Sequence, residues 1–193
     1  MDRKEAKDRE ERQRSKRHTL AQRIIPPQYF DTDLQSEEFN HQLWQKVADF
    51  SFSKPRLWLG IVGESGSCKT RSACQKLKEE ILRSGSGHFL PALELGNFAS
   101  NQQTAEQREA FYNEKKKAKE CALLVLDDLG KLGPTPTPAR AKVLFEILEH
   151  RLSYNLPLIW TANLSLEETF RCYPEEYGPT TSGRLLEASH IIA

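Results

Sequence analysis

At 193 residues, with 38% apolar and 28% charged side chains, the chain has material for one compact domain plus a tail, which excludes wholesale disorder and a two-domain enzyme. Its net charge of +1 excludes a global field for nucleic acid, so any such contact must come from a local patch. The longest apolar stretch, Cys121–Leu126, falls far short of the about 20 residues of a membrane span.

Residues 1–20 carry eight Lys/Arg and five Asp/Glu and almost nothing apolar before Leu20, which predicts a charged tail or solvated helix outside a core running over 21–193. Its start is charged and lacks the apolar region of a secretory signal. Cys68, Cys74, Cys121 and Cys172 are scattered, without a Cys-x-x-Cys pair, and read as reduced thiols of a cytoplasmic protein. In Arg23-Ile-Ile-Pro-Pro-Gln-Tyr-Phe30 the paired prolines predict an extended linker. Phe39, Leu43, Val47 and Phe50 recur at helical spacing behind Ser36, the expected N-cap.

Leu57–Val62 is an apolar run suited to a strand buried on both faces, and Cys74, Leu77 and Ile81 mark the helix that follows. Phe89–Leu95 reads as a second strand. Residues 101–119 read as a polar, Lys-rich helix with Phe111 and Tyr112 turned to the core. Ala122–Leu126 is a third strand, followed by a loop punctuated by Pro134, Pro136 and Pro138. A helix over Ala139–Asn155 with Leu144, Leu148 and Leu152 on one face, a strand at Leu158–Ala162, helical stretches near 166–173 and 180–187, and a last strand at His190–Ile192 complete the chain. Strands alternating with helices predict an α/β fold around a mostly parallel five-stranded sheet.

Between the first strand and its helix lies Gly63-Glu64-Ser65-Gly66-Ser67-Cys68-Lys69-Thr70, followed by Arg71. This is a P-loop with Cys68 in place of its second glycine. Loop N–H groups and the helix N-terminus cradle phosphates, Lys69 reaches the β- and γ-phosphates of ATP, and the Thr70 hydroxyl binds Mg²⁺. Cys68 is tolerated without penalty if its backbone is already helical. The strand Leu123–Leu126 ends in Asp127 and Asp128, as a Walker B motif does. Asp127 is placed to hold Mg²⁺ through water, and Asp128 to orient and deprotonate the attacking water. Asn163, at the end of the fourth strand, either contacts the γ-phosphate and water or merely opens the next helix. Arg184, taken alone, reads as a surface residue.

The order P-loop, Leu123-Leu-Val-Leu-Asp-Asp-Leu-Gly130, Thr161-Ala-Asn-Leu-Ser165, then Ser182-Gly-Arg-Leu185 resembles the DnaC/IstB group of AAA+ ATPases, helicase loaders and transposition helper proteins, over residues 23–193. The resemblance implies a P-loop NTPase core of AAA+ type, with Asn163 at the sensor-1 position and Arg184 as an arginine finger acting on a neighbouring subunit's ATP. It also implies that Ile25–Phe30 approach the adenine, and that the partners are a replicative helicase or a transposase, DNA and further copies of the chain. Three departures stand out: Cys68, a chain that ends just after the fifth strand with no helical lid in sight, and a short N-terminal extension. The basic residues Arg12, Arg14, Lys16 and Arg17, and Lys115–Lys119, are either DNA contacts or a solvated face. Two readings follow: an ATPase that loads or remodels a DNA-associated partner, or a nucleotide-gated interaction module that hydrolyses little.

Overall fold

A computed structural model of the chain describes residues 3–53, 55–131, 137–163, 165–171 and 173–193. Five strands, β1 (Trp58–Val62), β2 (His88–Pro91), β3 (Leu124–Asp127), β4 (Leu158–Ala162) and β5 (Ser189–Ile192), form one sheet in the order β2-β3-β4-β1-β5, every pairing parallel. The continuous apolar runs have their cause here, because both faces are covered. Alternate residues serve opposite layers: Trp58, Leu124, Leu126 and Trp160 enter one cluster, and Leu59, Ile61, Val125 and Ile159 the other.

The first cluster is closed by α5 (Ala92–Ser100), α6 (Ala105–Glu120), α7 (Pro138–Ser153) and α9 (Gly178–Ala188), through Leu95, Ala118, Leu144, Leu148 and Leu185. The second is closed by α1 (Arg3–Ile24), α2 (Pro27–Phe30), α3 (His41–Asp49) and α4 (Lys69–Ser84), through Ala21, Phe30, Val47, Leu77 and Ile81. The short α8 (Leu166–Phe170) opens with a capping box from Ser165 and Glu168.

One cross-sheet contact ties three strands together. Gly60 of β1 sits opposite Trp160 of β4, and the indole lies over it; a Cβ on Gly60 would fall 2.2 Å from Trp160 Cζ2. Beyond Gly60 the indole Nε1 donates to Ser189 Oγ on β5 at 2.8 Å. Elsewhere, the buried Arg151 meets no carboxylate among its hydrogen-bond partners. It donates to the carbonyls of Ala118, Lys119, Cys121 and Pro157, which ties the end of α6 to the approach of β4.

Several local expectations give way. The linker expected over 23–30 is helical on both sides of one break. α1 runs to Ile24, Pro26 is extended, and Pro27 opens α2, where a missing N–H costs nothing. The N-cap of α3 is Asn40, whose Oδ1 accepts from Leu43 N at 3.0 Å, and Ser36 instead closes a turn by accepting from Glu38 N. The second strand stops at Pro91, and Ala92–Leu95 begin α5, since a short apolar run of good helix formers carries no period that marks a strand. Phe111 packs against the core, but Tyr112 is 65% exposed, one helical step round the wheel. The helix after the proline loop starts at Pro138, again at a first-turn position. Pro134 and Pro136 lie outside the described residues, as does Cys172; Cys68, Cys74 and Cys121 are free thiols. Among the described residues no helix is long and apolar enough to cross a membrane.

Candidate functional site

The C-terminal ends of β1, β3 and β4 meet around a cavity of about 560 Å³, within the usual range for small-molecule sites. Ser65–Arg71, Asp127, Asp128 and Asn163 line it, so the P-loop, the strand-end carboxylates and the β4 asparagine fall together as their order along the chain predicts. Tyr29, Glu38, Lys131 and Thr161 complete the wall. Tyr29 is presented by α2, which is pinned to α4 where Gln75 Nε2 donates to the Tyr29 carbonyl at 2.6 Å and Lys78 Nζ to that of Phe30 at 2.7 Å.

The P-loop is closed on its own lysine. Lys69, only 7% exposed, donates through Nζ to the carbonyls of Gly63 at 2.8 Å and Glu64 at 2.7 Å, and to Ser67 Oγ at 3.3 Å. Burial lowers its pKa, and Asp128 and Asp127 pull it back upward. Cys68 departs from expectation. It is not helical but left-handed, at φ 65 and ψ 17, immediately before α4. That is the conformation for which glycine is suited, and a side chain there costs about 1 kcal/mol. The thiol points away from Lys69, 3.6 Å from the Glu38 carbonyl and 3.9 Å from that of Gly66. Cys68→Gly is therefore expected to stabilise the fold by about 1 kcal/mol, or about 2–4 °C in Tm. An unchanged or lower Tm in a melting experiment would show that the thiol contacts outweigh the backbone strain.

Asp127 is the hub of the opposite wall. Its Oδ1 accepts from Thr70 Oγ1 at 2.7 Å and from Thr161 Oγ1 at 2.8 Å. Burial raises its pKa, and the two hydroxyls counter that by stabilising the carboxylate. Thr161 Oγ1 also accepts from the Asp128 N–H at 2.9 Å, and Asp128 is held left-handed at φ 59. In consequence the two adjacent aspartates diverge. Asp127 faces Thr70, while Asp128 presents Oδ2 to Lys131 Nζ at 2.6 Å and Oδ1 to Asn163 Nδ2 at 3.4 Å. One hydroxyl and one carboxylate, completed by water and phosphate oxygens, is a donor set that fits Mg²⁺, which takes few protein ligands. Among the described residues no group of three or more His, Cys, Asp or Glu forms a metal site by itself.

Arg184 is not among the residues lining this cavity. It stands on α9, its side chain 40% exposed, with Nε 2.6 Å from Glu149 Oε1 and Nη1 3.6 Å from Glu187 Oε2. Sequence reasoning passed over Thr161 and Lys131. Both had a signal: Thr161 is the last polar side chain before the end of β4, and Lys131 is three residues past Asp128 in a Gly-containing turn, where i and i+3 side chains meet.

The fold is matched in known proteins. The structure superposes on DnaI with a TM-score of 0.63 at 22% identity, over 84% of this chain and 87% of that one. The DnaC helicase loader matches with a TM-score of 0.62 at 19% identity, over 86% of this chain and 98% of that one. AMPPCP-bound DnaA from Aquifex aeolicus matches with a TM-score of 0.62 at 14% identity, over 87% of this chain and 51% of that one. These likenesses establish the fold as of the AAA+ P-loop type. No curated protein matches the sequence. A family model described as IstB-like ATP binding protein matches residues 1–192. The chain belongs to that family, the IstB-like ATP-binding proteins.

Proposed function

We propose that the chain is a cytoplasmic ATPase that uses ATP binding and hydrolysis to load or remodel a DNA-associated partner, a replicative helicase or a transposase, with residues 21–193 as its ATP-binding core. The observation that carries this reading is the shared carboxylate of Asp127, which joins the P-loop threonine to the strand-end residues around one cavity.

Residues Gly63–Arg71 wrap the phosphates, and Lys69 exchanges its loop carbonyls for the β- and γ-phosphate oxygens. Thr70 and Asp127 would hold Mg²⁺, which would supply neutralisation of the charge developing on the phosphates. Asp128 takes the proton of the attacking water, and Asn163, already touching Asp128, orients that water. Arg184 stands outside this chain's own cavity, paired with Glu149 and Glu187; it serves the ATP of an adjacent copy once released from them, so turnover needs a homo-oligomer. The exposed basic residues of α1, Arg12, Arg14 and Lys16, contact DNA. A second reading, a nucleotide-gated interaction module with little hydrolysis, is favoured by the left-handed Cys68, which strains the loop that must close on the phosphates.

The test is ATP binding and turnover, with Mg²⁺ and with or without DNA. Asp128→Asn is expected to keep binding and lose about 10²–10⁴-fold in turnover. Arg184→Ala is expected to bind ATP normally and to regain turnover when mixed with Lys69→Ala, since each then supplies what the other lacks. Absence of any ATP-dependent thermal shift in the wild type sinks both readings. Binding without turnover in every condition selects the interaction module.

A further inference from the structure

We infer that Lys131 is a cation on the same chain that recognises the terminal phosphate, leaving Asp128 for that phosphate when ATP is bound; this rests on the ATPase reading above. Three observations carry it. Lys131 lines the same cavity as the P-loop, and its Nζ stands 2.6 Å from Asp128 Oδ2. Its backbone is fixed. It ends the 3₁₀ turn Leu129–Lys131, its N–H donates to the Asp128 carbonyl at 2.8 Å, and Leu129 is wholly buried. Its side chain is 64% exposed, a flexible stem that leaves the ammonium room to turn from Asp128 toward the cavity. An ammonium so placed on a fixed turn is suited to changing partners.

The electrostatics of the cavity favour such an exchange. Asp127 and Asp128 already place two carboxylates on one wall, and a nucleotide triphosphate brings further negative charge to the same space. Thr70 and Asp127 mark the metal side. Asp128, turned away from them by its left-handed backbone, therefore marks the end at which the terminal phosphate meets the attacking water. Without a cation there, phosphate and Asp128 repel each other. Lys131 already occupies that position, and a phosphate with three oxygens is a stronger acceptor for an ammonium than one carboxylate oxygen. The exchange releases Asp128 from its ion pair when the triphosphate is present, and ADP, lacking the group, leaves the pair intact. Lys131 thus reads the difference between the two nucleotides.

The experiment measures dissociation constants for AMPPCP and ADP, both with Mg²⁺, by calorimetry on wild type, Lys131→Gln and Lys131→Arg. Lys131→Gln is expected to weaken AMPPCP by about tenfold and to leave ADP within about twofold, as loss of one charge-assisted contact predicts. Lys131→Arg, which keeps the charge, is expected to retain most of the AMPPCP affinity. An exposed side chain makes loss of folding an unsuitable explanation, and equal melting temperatures for the three proteins check that. A lysine that merely shapes the turn would weaken both nucleotides alike or neither, and either result overturns the inference while leaving the ATPase reading intact. Wild-type protein that binds neither nucleotide overturns both.

Discussion

Lys69→Ala is expected to abolish the thermal stabilisation that ATP confers. At a free ATP concentration of about 100 Kd the wild type gains about 2.7 kcal/mol, which for a chain of this size is about 5–10 °C in Tm. The variant is expected to gain less than about 1 °C, because the N–H groups of the loop alone hold phosphate weakly. The unliganded variant should melt within a few degrees of wild type. Burial disfavours the charge of Lys69 where it sits, so its removal also removes a desolvation cost that offsets part of the hydrogen bonds lost. A variant that still gains the full shift would place the nucleotide outside this loop.

Gly60→Ala is expected to be severely destabilising. The new Cβ would stand 2.2 Å from Trp160 Cζ2, and the indole cannot retreat, since it is fully buried and held by Ser189. Overpacking of a central strand with no free volume costs about 3 kcal/mol, or about 6–12 °C in Tm. Equilibrium unfolding in urea measures this directly. The cause is separable by a double-mutant cycle: in a Trp160→Leu background the same alanine should cost less than about 1 kcal/mol, because the clash has gone. An equal cost in both backgrounds would assign the effect to β1 itself.

These two residues illustrate what is legible in such a sequence. Lys69 announces itself, because a phosphate loop needs an apolar strand before it, a helix after it and a lysine at its end, and all three are local. The strand that delivers Asp127 is legible for the same reason. Gly60 is different. It reads as one residue in an apolar run, and its meaning comes from the register that sets it opposite a tryptophan three strands later in the chain. Cys68 fails in another way. The substitution is visible, but the sign of its φ angle is a property of the closed loop, and the helical backbone on which free tolerance depends is not the one adopted. At Pro26–Pro27 the paired prolines forbid the interior of a helix and not its first turn, so an extended linker does not follow from them. The pairing of Lys131 with Asp128 needed the shape of the turn, and the diverging directions of Asp127 and Asp128 needed the Thr161 hydroxyl that bridges them.

The joint between α1 and α4 has a mechanical meaning. Arg17 Nη1 on α1 donates to the carbonyls of Leu82 and Arg83 at the far end of α4, whose near end is the P-loop. At 1.5 Å per residue the 22-residue α1 is a rod about 33 Å long, and only its last third lies against the core. The rest is a projecting arm with a fixed fulcrum. A load hung on its outer end arrives at the seam where Arg17 clamps the end of α4 and Leu20, Ala21 and Ile24 pack on the core, and the next stiff member in line is the helix that carries Lys69.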